Sequence, residues 1–269
     1  VSLMVGRELG DYYDRVKVDK KPGRFRVDGL VTGAYPGRPI SFEVAGGEVL
    51  GLAGLVGSGR SEMAQAIFGV DRALAGHVYL DGEPVALNST GEAIGRGIYL
   101  APEDRKRTGV ILEFSIEHNV SLAGLHRFAK LGLVDREAER ASADQQMREL
   151  GIKAPTAESE VGNLSGGNQQ KVVLAKWLSM SPKVLIFDEP TRGIDVGAKG
   201  EIYKLMHALA AQGVAIIMIS SDMEEVLGVS DRIAVMHEGQ ISGFLEQDEF
   251  SEEAVMRLAV GGNVDRRVS

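Results

Sequence analysis

The residues from Gly54 to Ser61 form the first pattern in this sequence that indicates a definite chemistry. Three glycines, an arginine and a serine stand there: Gly54, Gly57, Gly59, Arg60 and Ser61. Their spacing is that of a P-loop, G-x-x-G-x-G-K-S/T, with arginine in place of lysine. Glycines tolerate positive φ angles and leave backbone N–H groups free to surround a phosphate chain. The pattern predicts phosphate binding, with the Ser61 hydroxyl on Mg²⁺, and a ligand-free glycine-rich turn is the alternative.

Arg60 is the anomaly in this motif. The lysine of a P-loop is a compact point charge that reaches between the β- and γ-phosphates, whereas arginine is a longer, planar fork. Arginine therefore cannot occupy the same position in the same way. The substitution is compatible with nucleotide binding but argues against efficient hydrolysis at this site.

Two later patterns fit the same chemistry. Residues 164–178, LSGGNQQKVVLAKWL, place a Ser-Gly-Gly turn at the start of a helix, whose N-terminus attracts anions. Six residues further on begins the apolar strand VLIFDEP, which ends in Asp188 and Glu189. An acidic pair at the carboxyl end of an apolar strand suits a Mg²⁺ partner and a base that polarises water. Alone, the pair has a strand-end cap as its alternative, but three motifs in order favour the catalytic interpretation.

Composition narrows the classes of protein. The chain has 269 residues, 44% hydrophobic and 25% charged, which fits one large or two small soluble domains. A net charge of -8 argues against a general nucleic-acid binder and against binding to an anionic membrane surface. Because the sequence has no cysteine, disulfides and thiolate metal sites are excluded, and its five histidines lack zinc-ligand spacing. No apolar run reaches the ~20 residues that span a bilayer, and no signal peptide is visible.

The elements that must position these motifs follow from the hydrophobic pattern. Residues 1–23 are charged and weakly periodic, and we interpret them as a linker from a preceding domain, since the chain starts at valine. Residues 24–49 alternate between apolar and polar, which predicts antiparallel strands. Tyr35, in this segment, is a candidate for stacking on a purine ring, with an ordinary core role as the alternative. Residues 76–85 predict a hairpin with an Asp-Gly turn.

The rest of the chain predicts an α/β core with an insert. Residues 115–163 have a polar, helical pattern to about 160, and we expect a helical subdomain there. From 164 to 260, near-continuous apolar strands alternate with helices, which predicts a mostly parallel sheet. The expected fold is a P-loop, RecA-like α/β core with an N-terminal antiparallel β subdomain. That subdomain and the P-loop part of the core share residues 24–114, and a tail follows at 261–269.

Four segments together resemble a known family: GLVGSGRSE, LSGGNQQK, DEPTRGIDVGAK and ISSDMEEV. They are similar to the nucleotide-binding domain of an ABC transporter, and the resemblance covers nearly the whole chain. More narrowly, the chain resembles the C-terminal half of the duplicated ATPase subunit of carbohydrate importers of the ribose, galactose, xylose and arabinose class. APEDRKRTG, residues 101–109, is typical of that subfamily, and MVGREL, residues 4–9, resembles the junction after the first half.

The resemblance implies ATP and Mg²⁺ as ligands and assigns roles to the motifs. The Walker A loop that would hold the phosphates has these members: Gly54, Gly57, Ser58, Gly59, Arg60, Ser61 and Glu62. Asp188 would be the Walker B carboxylate that supports magnesium, and Glu189 would polarise water. The signature, which would touch a γ-phosphate held by an opposite domain, consists of Leu164, Ser165, Gly166, Gly167 and Asn168. Asp195 would lie in the D-loop.

Three residues depart from the family pattern around one site. Arg60 replaces lysine, Glu103 replaces a glutamine that contacts Mg²⁺ and the transmembrane subunit, and Ser221 replaces a histidine that clamps the γ-phosphate. Loss of a group that stabilises transition-state charge typically costs about 10²-fold or more in rate. The resemblance thus implies an asymmetric pair of sites. The Walker A site here is degenerate, while the signature completes the competent site of the other half.

The resemblance also implies partners and a location. They are an N-terminal ABC domain of the same subunit, transmembrane permease subunits and, indirectly, a periplasmic or extracellular sugar-binding protein, with no nucleic acid. The domain would act as an ATPase at the cytoplasmic face of the inner membrane. A soluble ABC ATPase of translation or DNA repair is one alternative, against which the short insert and the acidic charge argue. A non-catalytic nucleotide-binding module is the other, and Arg60 and Ser221 favour it.

Overall fold

A computed structural model describes residues 20–86, 88–130 and 132–262 of the chain. The segment MVGREL and most of the predicted linker and tail lie outside these residues. No helix in the described part of the chain is long and apolar enough to span a bilayer.

The chain divides into two compact units. Of the described residues, unit 1 contains those from 20 to 100 together with 183–189 and 196–262. Unit 2 contains 101–182 and 190–195. The P-loop and the acidic pair therefore belong to unit 1, and the signature belongs to unit 2.

Secondary structure follows the hydrophobic pattern closely. The strands are, in chain order, β1 (Lys21–Val31), β2 (Ile40–Gly46), β3 (Val49–Gly54), β4 (Ala75–Leu80), β5 (Glu83–Val85), β6 (Ile98–Ala101), β7 (Ala129–Lys130), β8 (Leu133–Val134), β9 (Val184–Asp188), β10 (Ala215–Ile219), β11 (Arg232–His237) and β12 (Gln240–Leu245). The α-helices are α1 (Arg60–Phe68), α2 (Thr90–Arg96), α3 (Ile116–Leu122), α4 (Leu125–Phe128), α5 (Arg136–Leu150), α6 (Gly166–Leu178), α7 (Val196–Ala211), α8 (Met223–Val229) and α9 (Glu252–Ala259). A π-helical turn covers Arg105–Gly109, and 3₁₀ turns cover Val161–Asn163 and Gln247–Glu249.

An antiparallel sheet in unit 1 has the strand order β2-β1-β4-β5. Phe25 of β1 is the Cα partner of Val44 in β2 and of Leu80 in β4, and all three side chains are buried. Every second side chain of β2 is buried, so the predicted alternation is confirmed. At the turn from β4 to β5, Asp81 and Gly82 have φ angles of 53° and 82°, as the predicted hairpin requires.

The larger sheet of unit 1 carries the phosphate-loop motifs. Its strand order is β12-β11-β3-β10-β9-β6, and β3 pairs in parallel with both β10 and β11. All residues of β9 and β10 are buried, as expected for strands inside a parallel sheet. Neighbouring parallel strands end at the same edge, so the loops that follow β3, β9 and β10 come together there. The predicted α/β fold with a P-loop core is confirmed.

Unit 2 is built mainly on α3, α5 and α6, which pack against one another. The buried Asn119 of α3 fixes the chain that leads into these helices. Its Oδ1 accepts a hydrogen bond from the N–H of Ile111 at 2.8 Å, and its Nδ2 donates to the Ile111 carbonyl at 2.9 Å. Because α6 packs here, unit 2 extends beyond the helical subdomain that we predict at 115–163.

The prediction of helix from 115 to about 160 is wrong in two places. The strands β7 and β8 form a small hairpin at 129–134, where Gly132 has a φ of 81°. Residues 151–160 are not helical. Gly151 ends α5 in the left-handed conformation, with a φ of 58°, and this conformation stops a helix.

Candidate functional site

The predicted phosphate loop connects the end of β3 to the start of α1. Its three glycines have positive φ angles of 153° at Gly54, 78° at Gly57 and 98° at Gly59. A Cβ atom on Gly54 would lie 2.6 Å from the carbonyl oxygen of Met236 and 2.6 Å from the Ser58 hydroxyl. The loop therefore needs glycine for both conformation and space, and its bare backbone suits close approach to a phosphate.

Arg60, at the lysine position of the motif, is buried, with 7% of its surface exposed. Its Nη1 donates to the carbonyl oxygen of Ser220 at 2.6 Å and to that of Leu52 at 3.5 Å. Burial lowers the pKa of Arg60, while nearby carboxylates, Glu189 foremost, oppose this effect. Because arginine stays protonated in proteins, unit 1 holds a buried cation that is bound to main-chain carbonyls at the ends of two core strands.

Asp188, the predicted Walker B carboxylate, lies beside Ser61 of the P-loop. The Ser61 hydroxyl donates to Oδ1 of Asp188 at 3.2 Å, and Asp188 is 3% exposed. Burial raises the pKa of Asp188 to about 6, although the hydrogen bond from Ser61 opposes this. The described residues contain no cluster of three or more acidic or histidine side chains that could cage a metal. The Ser61 hydroxyl and the Asp188 carboxylate are two hard oxygen donors. Such a pair suits Mg²⁺, which takes its other ligands from phosphate and water.

Glu189 has a strained backbone and a fixed carboxylate. Its φ is 48°, a left-handed value that typically costs about 1–3 kcal/mol outside glycine and is concentrated at functional sites. Its N–H donates to the carbonyl of Ile219 at 2.9 Å, and the Ser221 hydroxyl donates to its carboxylate at 3.1 Å. Burial raises the pKa of Glu189, and the bond from Ser221 opposes the shift. Ser221 thus contacts the residue that we predict to polarise water.

A buried hydrogen-bond network around Glu225, which includes Ser220 at the end of β10, was not identified from the sequence. Glu225 is 2% exposed and accepts hydrogen bonds from the Ser220 hydroxyl at 2.9 Å, Tyr203 at 2.8 Å and Lys199 at 2.9 Å. Lys199 also donates to Asp222 at 3.0 Å. Glu225 is a carboxylate on the apolar face of a short helix. Because a buried carboxylate needs hydrogen-bond partners, its position in the sequence could have indicated the network.

Tyr35 lies in the loop between β1 and β2 and contacts the phosphate loop. A Cβ on Gly59 would lie 3.1 Å from its ring, and a Cβ on Gly239 would overlap the ring at 2.2 Å. Its hydroxyl donates to the carbonyl of Gly57. Tyr35 therefore lies against the P-loop, while its stacking on a purine stays a prediction.

The signature turn opens α6 in unit 2. Ser165 is its N-cap residue, is exposed, and accepts hydrogen bonds from the N–H of Asn168 at 3.4 Å and from its side-chain nitrogen at 2.9 Å. The Oδ1 of Asn168 in turn accepts from the N–H of Lys153 at 2.8 Å. Gly166 and Gly167 form the first turn, after the half-buried Leu164. The exposed start of a helix is suited to an anion.

Glu103 and Asp195 also lie in unit 2. The Glu103 carboxylate forms an ion pair with Arg192, three residues before Asp195 in the chain. Arg105 contacts the same segment, because its guanidinium donates to the main-chain carbonyls of Arg192 and Gly193. The contact of Glu103 with Mg²⁺ and the D-loop role of Asp195 stay predictions.

Comparison with known proteins identifies the family. The model for ABC transporters matches residues 38–192. The chain is 50% identical over 262 residues to the ribose import ATP-binding protein RbsA of Lactococcus lactis subsp. cremoris (strain SK11), covering 97% of this chain and 53% of that protein. It is 47% identical over 269 residues to the RbsA of Yersinia pestis bv. Antiqua (strain Antiqua), covering 99% and 53%. The chain thus spans about half the length of the curated relatives it matches.

Solved structures share the fold. The ATP-binding cassette MJ1267 in its ADP conformation matches with a TM-score of 0.72 at 21% identity, over 91% of this chain and 100% of that one. The cbiO1 protein from Clostridium perfringens, part of an ABC transporter complex, matches with a TM-score of 0.70 at 26% identity, over 88% and 94%. The family match spans the P-loop, the signature turn and the Asp188–Glu189 pair. The chain therefore belongs to the ABC transporter family.

Proposed function

We propose that this chain is the C-terminal ATP-binding half of a duplicated ATPase subunit that drives carbohydrate import. The two ribose import relatives support the class of substrate, and the chain accounts for about half of their length, as one of two similar halves would. The order of the P-loop, the signature and the acidic pair supports ATP as the nucleotide. Selection of the sugar is assigned to other components of the importer.

The contrast between Arg60 and Ser165 carries this proposal. Arg60 is buried and donates to carbonyl oxygens, whereas Ser165 is exposed at the start of α6. An arginine engaged in this way supports weak phosphate binding by the chain's own loop. An exposed helix start supports binding of a phosphate that another domain presents. We therefore assign to this chain the role of completing, through its signature, the ATP site of the other half.

The residues of the chain's own site fit a magnesium nucleotide. Ser61 and Asp188 would hold Mg²⁺, which when bound neutralises charge on the β- and γ-phosphates. Glu189 would orient and deprotonate the attacking water, and Ser221 would hold its carboxylate in place. Since Arg60 is turned to main-chain carbonyls, the developing charge on the γ-phosphoryl group lacks a cation of the usual kind, and turnover here is slow.

The partners follow from the class of transporter. An N-terminal homologous domain of the same subunit would supply the competent Walker A site, and permease subunits would form the path through the membrane. A periplasmic or extracellular sugar-binding protein would deliver the sugar. The subunit would work at the cytoplasmic face of the inner membrane. The net charge of -8 supports protein partners over nucleic acid and argues against a soluble ABC ATPase of translation or repair.

A second candidate is a non-catalytic nucleotide-binding module. The burial of Arg60 and the serine at position 221 favour it, because each removes or displaces a group that would stabilise charge on the γ-phosphate. In this case the chain would bind ATP to stabilise a closed pair of domains and would leave hydrolysis to the other site. ATP hydrolysis by the isolated chain with Mg²⁺, measured with and without Glu189→Gln, separates this function from the main proposal. Turnover that depends on Glu189 contradicts the non-catalytic function.

The test of the main proposal uses the complete subunit assembled with its permease. Ser165→Arg places a bulky cation on the signature and is expected to abolish ATP hydrolysis. Arg60→Ala is expected to leave substantial activity, since this loop contributes little to turnover. Equal losses in the two variants would contradict the asymmetry. Association of the subunit with membranes should require the permease, and association that depends on nucleic acid would overturn the transporter function.

A further inference from the structure

Arg105 connects two segments of unit 2 that the sequence separates by 87 residues. It begins the π-helical turn at 105–109, whose N-cap residue is Asp104. Its Nη1 donates to the carbonyl oxygen of Arg192 at 2.7 Å, and its Nη2 donates to that of Gly193 at 3.2 Å. The planar fork of arginine suits two neighbouring acceptors, and a lysine ammonium would satisfy this geometry less well.

The same guanidinium lies against the signature turn. A Cβ on Gly166 would lie 2.7 Å from Nη2 of Arg105 and 3.1 Å from the carbonyl oxygen of Gly193. Gly166 has no positive φ, so its conformation does not require glycine. The missing side chain instead leaves room for Arg105 and the 192–193 backbone. Three segments therefore meet at one guanidinium, all within unit 2.

Arg105 is bound through its two terminal guanidinium nitrogens. Burial lowers the pKa of Arg105, with Asp104 opposing, and the side chain remains protonated. Its Nε is buried without a hydrogen-bond partner among the residues that the structure describes. The nearby Glu103–Arg192 pair is largely exposed, and such pairs typically contribute only about 0–1 kcal/mol. The two bonds from Arg105 to main-chain carbonyls are therefore the specific link between these segments.

We propose that Arg105 is a positioning residue that fixes the signature turn to the segment leading into the D-loop. This inference rests on the proposed function, in which the signature and D-loop face the nucleotide of the other half. With Arg105 in place, Ser165 and Asp195 are presented to that nucleotide at a fixed spacing. Without it, the carbonyls of Arg192 and Gly193 lose their shared donor beside Gly166, and the ATP site of the partner half closes in a poorer geometry.

The test compares Arg105→Ala with Lys106→Ala in the complete transporter. Lys106 is the exposed neighbouring cation, and its variant controls for loss of one charge at this turn. Misplacement of a catalytic group by about 1 Å can cost on the order of 10²-fold in rate. Arg105→Ala should therefore lower kcat by about 10-fold or more with the KM for ATP changed by less than about 3-fold. Lys106→Ala should resemble the unmodified protein.

A double-mutant cycle distinguishes positioning from a general effect on folding. Gly166→Ala places a methyl group against the guanidinium, so its effect on kcat should shrink at least about 3-fold when residue 105 is alanine. Independent effects of the two changes would overturn the proposal. Arg105→Lys should recover part of kcat, and it replaces the alanine variant in the cycle if that variant fails to fold.

Ser165→Arg distinguishes a failure of the proposed function from a failure of the role proposed for Arg105. If Ser165→Arg abolishes hydrolysis while Arg105→Ala retains full kcat, the role of Arg105 is wrong and the proposed function stands. If Ser165→Arg retains activity, the proposed function itself is wrong. Loss of kcat in Arg105→Ala, together with coupling to Gly166, supports both.

Discussion

Unit 1 and unit 2 each contain an arginine that donates to two main-chain carbonyls, and the two differ in surroundings. Arg60 is buried among core strands and binds the carbonyls of Leu52 and Ser220. Arg105 is half-buried and binds those of Arg192 and Gly193 beside the signature turn. Burial lowers the pKa of both guanidinium groups. Arg60 also has the carboxylates of Glu189 and Asp188 close enough to oppose that effect.

The position of an arginine within a motif therefore does not by itself decide what the arginine binds. At the lysine position of a P-loop, Arg60 binds the ends of β3 and β10 and so contributes to the core. At a position to which the sequence analysis assigns no chemical role, Arg105 holds the turn that we assign to a neighbour's nucleotide. We expect changes around Arg60 to act mainly on stability, and changes at Arg105 to act mainly on catalysis.

The largest effect is expected at Glu225, which supports the loop that Arg60 binds. Glu225→Ala would leave Lys199 and Tyr203 without their shared acceptor and would free the Ser220 hydroxyl. A hydrogen bond to a charged group typically contributes about 1.5–3 kcal/mol. Because three such bonds are lost, the free energy of unfolding, from urea denaturation, should fall by at least about 3 kcal/mol. The adjacent Glu224 is exposed, so Glu224→Ala should change it by less than about 0.5 kcal/mol.

A fall of similar size in both glutamate variants would contradict this account of the network. It would also weaken the contrast between the two arginines. The position of the Ser220 carbonyl, which binds Arg60, would then not depend on the hydrogen bond from the Ser220 hydroxyl to Glu225. A fall confined to Glu225 would show that the Arg60 contact belongs to a larger buried polar network in unit 1.

The sequence predicts the parts of this molecule that depend on local pattern. The path from β3 through the P-loop to α1 follows from glycine spacing, and the position of Asp188 and Glu189 follows from an apolar strand. The roles of Arg60, Arg105 and Glu225 could not be predicted, because their partners lie far away in sequence. The helix expected across 151–160 fails for a local reason that was visible, since Gly151 is a favourable helix stop.

An intermediate effect is expected from Arg60→Ala. The change removes the donor that binds the Ser220 carbonyl at 2.6 Å, and an unsatisfied buried acceptor typically costs about 1–3 kcal/mol. The free energy of unfolding should fall by about this amount, measured by urea denaturation of the chain. The exposed Arg72 provides a control, and Arg72→Ala should change it by less than about 0.5 kcal/mol. If Arg60→Ala is as stable as the control, Arg60 does not act through the core.

The remaining effects are pH dependences of stability at one half-buried lysine in each unit, and they have opposite signs. In unit 1, burial lowers the pKa of Lys199, but hydrogen bonds from Lys199 to Glu225 and Asp222 outweigh this and raise it from 10.5 to about 12. In unit 2, burial lowers the pKa of Lys176 from 10.5 to about 8, although its ammonium donates to the Gly109 carbonyl at 2.7 Å.

The direction of each effect follows from which state binds more protons. The folded chain keeps the Lys199 proton between pH 10.5 and about 12 after the unfolded chain has lost it, so stability from this group falls with pH there. The unfolded chain keeps the Lys176 proton between about pH 8 and 10.5, so stability rises with pH there. The free energy of unfolding, measured by urea denaturation from pH 7 to 11.5, should therefore lack the rise in Lys176→Met. It should lack the later fall in Lys199→Met. If both variants keep the pH profile of the unmodified chain, neither lysine changes its pKa on folding. The two units would then not differ in the pH dependence of their stability.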